Sequence, residues 1–188
     1  MSLHRVLLLT LALLSFAPRP ARAQGFISPT LGYAFGADTP TCLSLTNCDE
    51  RRLSWGVSMG KMGETVGFEQ EFVYGKDFFG KSNLGDSAML TIMSNLMLIL
   101  PAGPVRPYGV FGVGLMRPHV KFDTSSLELS QTALGWDFGG GLNIFFTHGF
   151  GIRGDVRRLK TFQDITLGVF GNDQLKFWRG SAGVTFRF

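Results

Sequence analysis

The chain has 188 residues, of which 17% are charged, 45% hydrophobic and 13% aromatic, with 25 Gly, 18 Phe and only 2 Cys. This is the length of one domain, and charge below the roughly 25% usual in soluble domains, with Gly far above the usual ~7%, excludes a disordered chain, a coiled coil or an ordinary helical protein. After the first 20 residues no run of ~18 apolar residues free of charges and breakers occurs, so any membrane span must be built from strands.

The N-terminus has a basic start (His4, Arg5), an apolar run from Val6 to Ala17, and small residues at Ala21 and Ala23. This reads as a secretory signal peptide over 1–23, cut between Ala23 and Gln24, and leaves a mature domain over 24–188. A transmembrane anchor would need a longer run. Cleavage removes Arg5, Arg19 and Arg22, leaving 15 basic residues against 14 acidic ones, so the formal charge falls from +4 to +1. Nucleic acid is therefore not an expected partner. Export carries Cys42 and Cys48, which enclose the polar stretch Leu43–Asn47, into an oxidising compartment, and a local disulfide is expected. Only Asp49 and Glu50 lie close by, without His, so no metal site is expected there.

From Phe26 onward the dominant period is two, which predicts strands with distinct faces. In the first segment Ile27, Pro29, Leu31, Tyr33 and Phe35 alternate with small and polar residues. The second sets Leu53, Trp55, Val57 and Met59 against Ser54, Gly56, Ser58 and Gly60, and the third sets Val66, Phe68, Phe72 and Tyr74 against Gly67, Glu69 and Glu71, with Gln70 interrupting the apolar row. The fourth, Ala88–Leu100, is apolar on both faces; Thr91 and Asn95 lie on its Met-rich side. In the fifth, Phe111, Val113 and Leu115 oppose Val110, Gly112 and Gly114, and in the sixth, Leu134, Trp136, Phe138, Leu142 and Ile144 oppose Gly135, Asp137, Gly139, Gly141 and Asn143. The seventh sets Phe150, Ile152 and Val156 against Arg153, Asp155 and Arg157, and the eighth sets Trp178, Ala182, Val184, Phe186 and Phe188 against Arg179, Ser181, Gly183, Thr185 and Arg187.

The connections alternate too. They are long at 38–52, 76–87, 118–131 and 163–174, and short at 61–64, 101–105 and 147–149. Four long loops at one end and three short turns at the other predict an all-β, eight-stranded antiparallel up-and-down transmembrane barrel. A soluble barrel would turn its large apolar side chains inward and its charges outward; here the second face is small and charged, which suits a narrow lumen. Tyr108, Phe150, Phe186 and Phe188 at one rim, with Tyr74, Trp178 and Phe162 at the other, are expected to form interface girdles.

The chain resembles the small outer-membrane β-barrel family typified by the OmpA membrane domain and OmpX. The last residues, Ser181 to Phe188, carry the resemblance most specifically: a polar residue, Gly183 two later, and aromatics at Phe186 and Phe188. It covers about 25–188 and implies that Gly183, Phe186 and Phe188 are an assembly signal. It further implies residence in the cell outer membrane among its lipids, escort by periplasmic chaperones, insertion by the outer-membrane assembly machinery, both termini periplasmic and long loops extracellular. Pro29 departs from the pattern, since it removes a ladder donor, but its place near the strand start limits the harm.

Gly149 to Gly154 matches G-x-G-x-x-G, yet the period of two continues through it, so no cofactor site is expected there. Gly139–Gly141 and Gly112–Gly114 lack a following Lys-Ser/Thr and are expected to save space in the lumen. After cleavage only His119 and His148 remain, and no nucleophile–base spacing is present, so no catalytic residue is expected. The inner face instead carries Glu69, Glu71, Asp137 and Asp155 against Arg153, Arg157, Arg179 and Arg187. All but Arg187 fall at similar heights and are expected to form one salt-bridged cluster that plugs the lumen, with Glu69 and Glu71 reaching across toward Arg153, Arg157 and Arg179, and Asp137 beside Arg157. The expected role is a non-enzymatic barrel that anchors in the membrane and displays four loops, in envelope integrity or adhesion. A narrow porin-like channel is the alternative, and a lipid-modifying enzyme the third.

Overall fold

A computed structural model of the chain describes residues 23–36, 52–76, 87–121, 128–130, 132–162 and 174–188. The expected leader, the Cys42–Cys48 bridge and most of the long connections lie outside the described residues. Among those described, the strands are β1 (Gln24–Phe35), β2 (Arg52–Met62), β3 (Val66–Lys76), β4 (Ser87–Ile99), β5 (Val105–Lys121), a short β6 (Glu128–Ser130), β7 (Ala133–Phe145), β8 (Phe150–Thr161) and β9 (Lys176–Arg187). Each long strand pairs antiparallel with its neighbours, β4 with β5 and β5 with β7, and β1 closes the ring on β9. The result is a closed barrel of eight strands. At 11 residues or more each, they reach or exceed the roughly 9–11 that a tilted strand needs to cross a bilayer.

The alternation in sequence becomes two surfaces. Leu31, Leu53, Trp55, Phe68, Leu98 and Phe111 stand outward and exposed, whereas Ser28, Ser58, Thr91, Asn95 and Thr185 point inward and are buried. Gln70, the polar interruption of the outer row, accepts a hydrogen bond from Ser94 Oγ across the β3–β4 pair at 2.8 Å, which satisfies both groups on the apolar face.

The short connections share one end with the barrel's first and last strand ends. Gly63 N donates to the Val66 carbonyl at 3.0 Å, Gly103 takes a positive φ of 68° that favours glycine, and Thr147 Oγ1 accepts from the Phe150 amide at 3.1 Å. At the β1–β9 seam the register skips Ser28 and Pro29, as the missing Pro29 donor requires, and the Ser28 and Thr185 hydroxyls hydrogen-bond across the gap at 2.6 Å.

Two expectations need correction. Residues 118–131 are not simply a loop: β5 continues to Lys121 and pairs with β6, so this hairpin extends past its neighbours. Tyr108 is not a girdle aromatic but a buried lumen residue. Since Phe111, Val113 and Leu115 face outward, Tyr108 has inward parity, shared with Val110, and parity outweighs its place near the rim.

Candidate functional site: a charge cluster sealed in the lumen

Strands β3, β7, β8 and β9 bring Glu69, Glu71, Asp137, Arg153, Asp155, Arg157 and Arg179 together inside the barrel, each buried. Arg157 is the hub. Its Nη2 donates to Glu69 Oε1 at 2.7 Å, its Nε to Asp155 Oδ1 at 3.2 Å, and its Nη1 reaches Glu71 Oε2 and Asp137 Oδ2, both at 3.4 Å. Arg179 Nη2 donates to both oxygens of Glu71, at 2.7 and 2.6 Å. Arg153 pairs with Glu69, and its Nε donates to Asp155 Oδ2 at 3.0 Å. Arg187 stands apart at the short-turn end, where its Nε donates to the His148 carbonyl at 2.9 Å and its guanidinium lies over Phe145. The four charges of each sign on the inner face thus do not all meet: the cluster is the expected seven, four carboxylates with three guanidiniums, a formal surplus of one negative charge.

Neutral groups complete the network. Tyr108 Oη donates to Asp155 Oδ2 at 2.8 Å beneath the Arg153 guanidinium, which lies 5.0 Å from the Tyr108 ring centre. Ser181 Oγ donates to Asp155 Oδ1 at 2.9 Å, and Asn95 Nδ2 to Glu69 Oε1 at 3.1 Å. Sequence reasoning did not assign Tyr108, Ser181 or Asn95 to the cluster; their inward parity was the available signal. Asn95 Oδ1 and Asp137 Oδ1 both lack a partner, and both crowd the place where a Cβ on Gly112 would stand. On β7, a Cβ on Gly139 would meet the Arg157 Cα and side chain at about 3 Å. These glycines keep one wall thin so that long charged side chains can occupy a narrow lumen.

Apolar layers lie to either side of the cluster. Toward the short turns Phe26, Met62, Met97, Ile99, Val110 and Phe145 pack with the Tyr108 ring; toward the other end Ala34, Met89, Met93, Met116, Leu159, Leu175 and Phe177 form a second layer. Beside Arg179 and Phe177 the remaining cavity is about 10 Å³, room for one water at most. A continuous aqueous path would have to cross both layers.

The residues of the expected assembly signal lie along β9 and at its end. Gly183 meets β1 at the seam, where a Cβ would collide with the Pro29 carbonyl. Phe186 faces outward against Phe150, with ring centres 5.6 Å apart. The Phe188 amide donates to the Gly25 carbonyl at 2.9 Å, and its ring is 80% exposed. Gly149 to Gly154 runs from the β7–β8 turn into β8 with no helix after it, unlike a dinucleotide-binding loop. Among the described residues no group of three or more His, Cys, Asp or Glu has the placement to hold a metal ion.

A closed ring of eight antiparallel strands, apolar outside and ionic within, defines a transmembrane β-barrel of the small outer-membrane class. The chain belongs to the outer membrane protein beta-barrel domain family, whose model matches residues 7–188. Its place is accordingly the outer membrane. Among solved structures it is similar to Neisserial surface protein A, with 19% identity, 87% of this chain and 97% of that chain covered, and a TM-score of 0.66. It is similar also to Ail, the attachment invasion locus protein of Yersinia pestis, in complex with the heparin analogue sucrose octasulfate (14% identity, 88% and 99% covered, TM-score 0.60). A third likeness is to outer membrane protein H of Pseudomonas aeruginosa (16% identity, 88% and 100% covered, TM-score 0.59). At these identities the likeness is one of fold. No curated protein matches the sequence.

Proposed function

We propose that this chain is a non-enzymatic outer-membrane anchor whose closed barrel holds four long connections on the cell exterior, in envelope integrity or adhesion. The observation that carries the reading is the sealed lumen: seven charged side chains are committed to one another between two apolar layers, so the interior is spent on holding the barrel shut. The long connections, at the end opposite the chain's termini, are then the part left to meet the surroundings. Both termini would face the periplasm, the leader over 1–23 would be removed, and Gly183, Phe186 and Phe188 would be read by the assembly machinery after escort by periplasmic chaperones. Ail was solved with a heparin analogue, which makes sulfated glycans the first ligands to try on the loops. Planar-bilayer conductance of the refolded mature protein tests the reading: a silent bilayer agrees with it, whereas stable ohmic steps would replace it with a narrow solute channel.

A further inference from the structure

On the outward surface of β7, β8 and β9 the registers stack four rows. Trp136, Lys160 and Lys176 lie side by side at the long-connection end; next come Phe138, Arg158 and Trp178; then Gly140, Val156 and Gly180; then Leu142, Gly154 and Ala182. The two upper rows are cationic and aromatic. Arg158 projects over Trp178, its guanidinium 5.5 Å from the ring centre, while Phe138 meets Trp178 edge-on at 6.4 Å and stacks on Trp136 at 5.5 Å. The two lower rows are cut away by glycines and leave a shallow apolar groove of about 670 Å³ between Leu142 and Val156 on one side and Leu31 and Tyr33 on the other.

The two halves call for one amphiphilic occupant. The outward rows of β7, β8 and β9 contain three basic residues and no carboxylate. Cations held among aromatic rings at the edge of an apolar belt attract anionic headgroups, and arginine matches phosphate oxygens two at a time. A zwitterionic headgroup would bring its own cation into a place that already holds several. Below, within the apolar belt, only a hydrocarbon chain can fill the groove, and it would lie one to two rows beneath the phosphate. We propose that this face is a binding site for an acylated lipid with an anionic phosphate headgroup, the phosphate on Arg158 and Lys160 and one acyl chain in the groove over Gly154 and Gly180. With the orientation proposed above, the lipid belongs to the outer leaflet.

The test is native mass spectrometry of the full mature protein refolded in detergent micelles, titrated with bisphosphorylated lipid A, its fully dephosphorylated form, and inorganic phosphate alone. One retained copy of bisphosphorylated lipid A is expected, with affinity falling on the order of tenfold or more in Arg158→Ala/Lys160→Ala. Gly154→Leu should also weaken binding without harming the fold, since a Cβ there approaches no atom closer than 3.8 Å; heat-modified gel migration monitors folding of each variant. Lys61→Ala, an outward cation at the short-turn end, should bind like the parent. The site is overturned if the double variant retains parental affinity, if the dephosphorylated lipid binds as well as the phosphorylated one, if Gly154→Leu is without effect, or if inorganic phosphate alone binds as tightly as the lipid. Micelles have no leaflets, so such a failure leaves the proposed orientation untouched.

Discussion

Replacing Arg157 by Met keeps most of the side-chain volume and removes the charge at the centre of the lumen. Glu69, Glu71 and Asp155 each keep a second guanidinium, from Arg153 or Arg179. Asp137 does not: among the described residues its one ion pair is with Arg157, at 3.4 Å, and its other oxygen has no partner. The substitution thus strands one buried carboxylate outright and raises the formal surplus from one negative charge to two. Breaking a buried pair by removing one partner typically costs ~3–5 kcal/mol, and the weakening of the three shared carboxylates adds to the lower end of that range. Urea unfolding in detergent micelles, followed by heat-modified gel migration, should show a loss of at least ~3 kcal/mol, on the order of a hundredfold in the folding equilibrium. The second half of the test is Asp137→Asn. An amide there equalises the charges at three against three and can donate toward the bare Asn95 Oδ1, so it should be neutral or stabilising alone and should restore a large part of the loss in combination with Arg157→Met. A single Arg157→Met variant within ~1 kcal/mol of the parent, or a double variant no better than the single, would refute the view of Arg157 as the hub of an ionic plug.

Gly112→Val should lower the urea midpoint sharply, because its Cβ would displace the Asn95 amide that holds Glu69; unchanged stability would show that the β5 wall has room to spare. Deleting Phe188 removes the expected last residue of the assembly signal and the amide bonded to Gly25, so native expression should yield less inserted barrel and more periplasmic proteolysis; parental yields would count against the signal. Non-reducing mass spectrometry should find Cys42 and Cys48 linked, with Cys42→Ser leaving assembly largely intact; a free-thiol mass for the exported protein would remove the bridge.

Most of the architecture was legible because a barrel wall has only two sides. Once Phe111 or Trp55 is outward, parity fixes the facing of the whole strand, and alternating connection lengths then leave little choice of topology. Hairpin counting located Asp137 near Arg157 in the same way: the register pairs Asp137 with Leu159 and Gly139 with Arg157, one step away on the same face. Glu69 and Glu71 were expected to reach across the lumen toward Arg153, Arg157 and Arg179, and they pair with those guanidiniums; which atoms meet depends on stagger around the whole ring. Asn95 was placed on the inner face, but its bond to Glu69 on the neighbouring strand follows from the β3–β4 register, which the long connection between those strands does not fix. Tyr108 was misplaced because an aromatic near a strand end fits a girdle by position, although its parity with Val110 and Gly112 puts it in the lumen. Arg187 shares the parity of the charged row but lies too near the turn to join it. The β5–β6 extension carries no strong alternation of its own and follows from the hairpin being held together below.

The charged residues of the lumen are not distributed evenly along the chain. Glu69 and Glu71 sit on the third strand, while all three guanidiniums of the cluster sit on the last two, with Glu71 and Arg179 separated by 108 positions. A partly inserted sheet that ends after β4 therefore presents bare carboxylates, and the late strands bring three guanidiniums to the two carboxylates of Asp137 and Asp155. Neither half can desolvate its charges alone, so entry into the hydrocarbon layer is favourable only when both arrive together. The chemistry of the interior thereby favours an order of events: the strands are best gathered in a wet setting before the first and last are joined, and the pairs of Glu69 and Glu71 with the guanidiniums of β8 and β9 form with closure. Such a barrel opens as reluctantly as it closes, because parting the seam draws Glu69 and Glu71 away from the guanidiniums of β8 and β9.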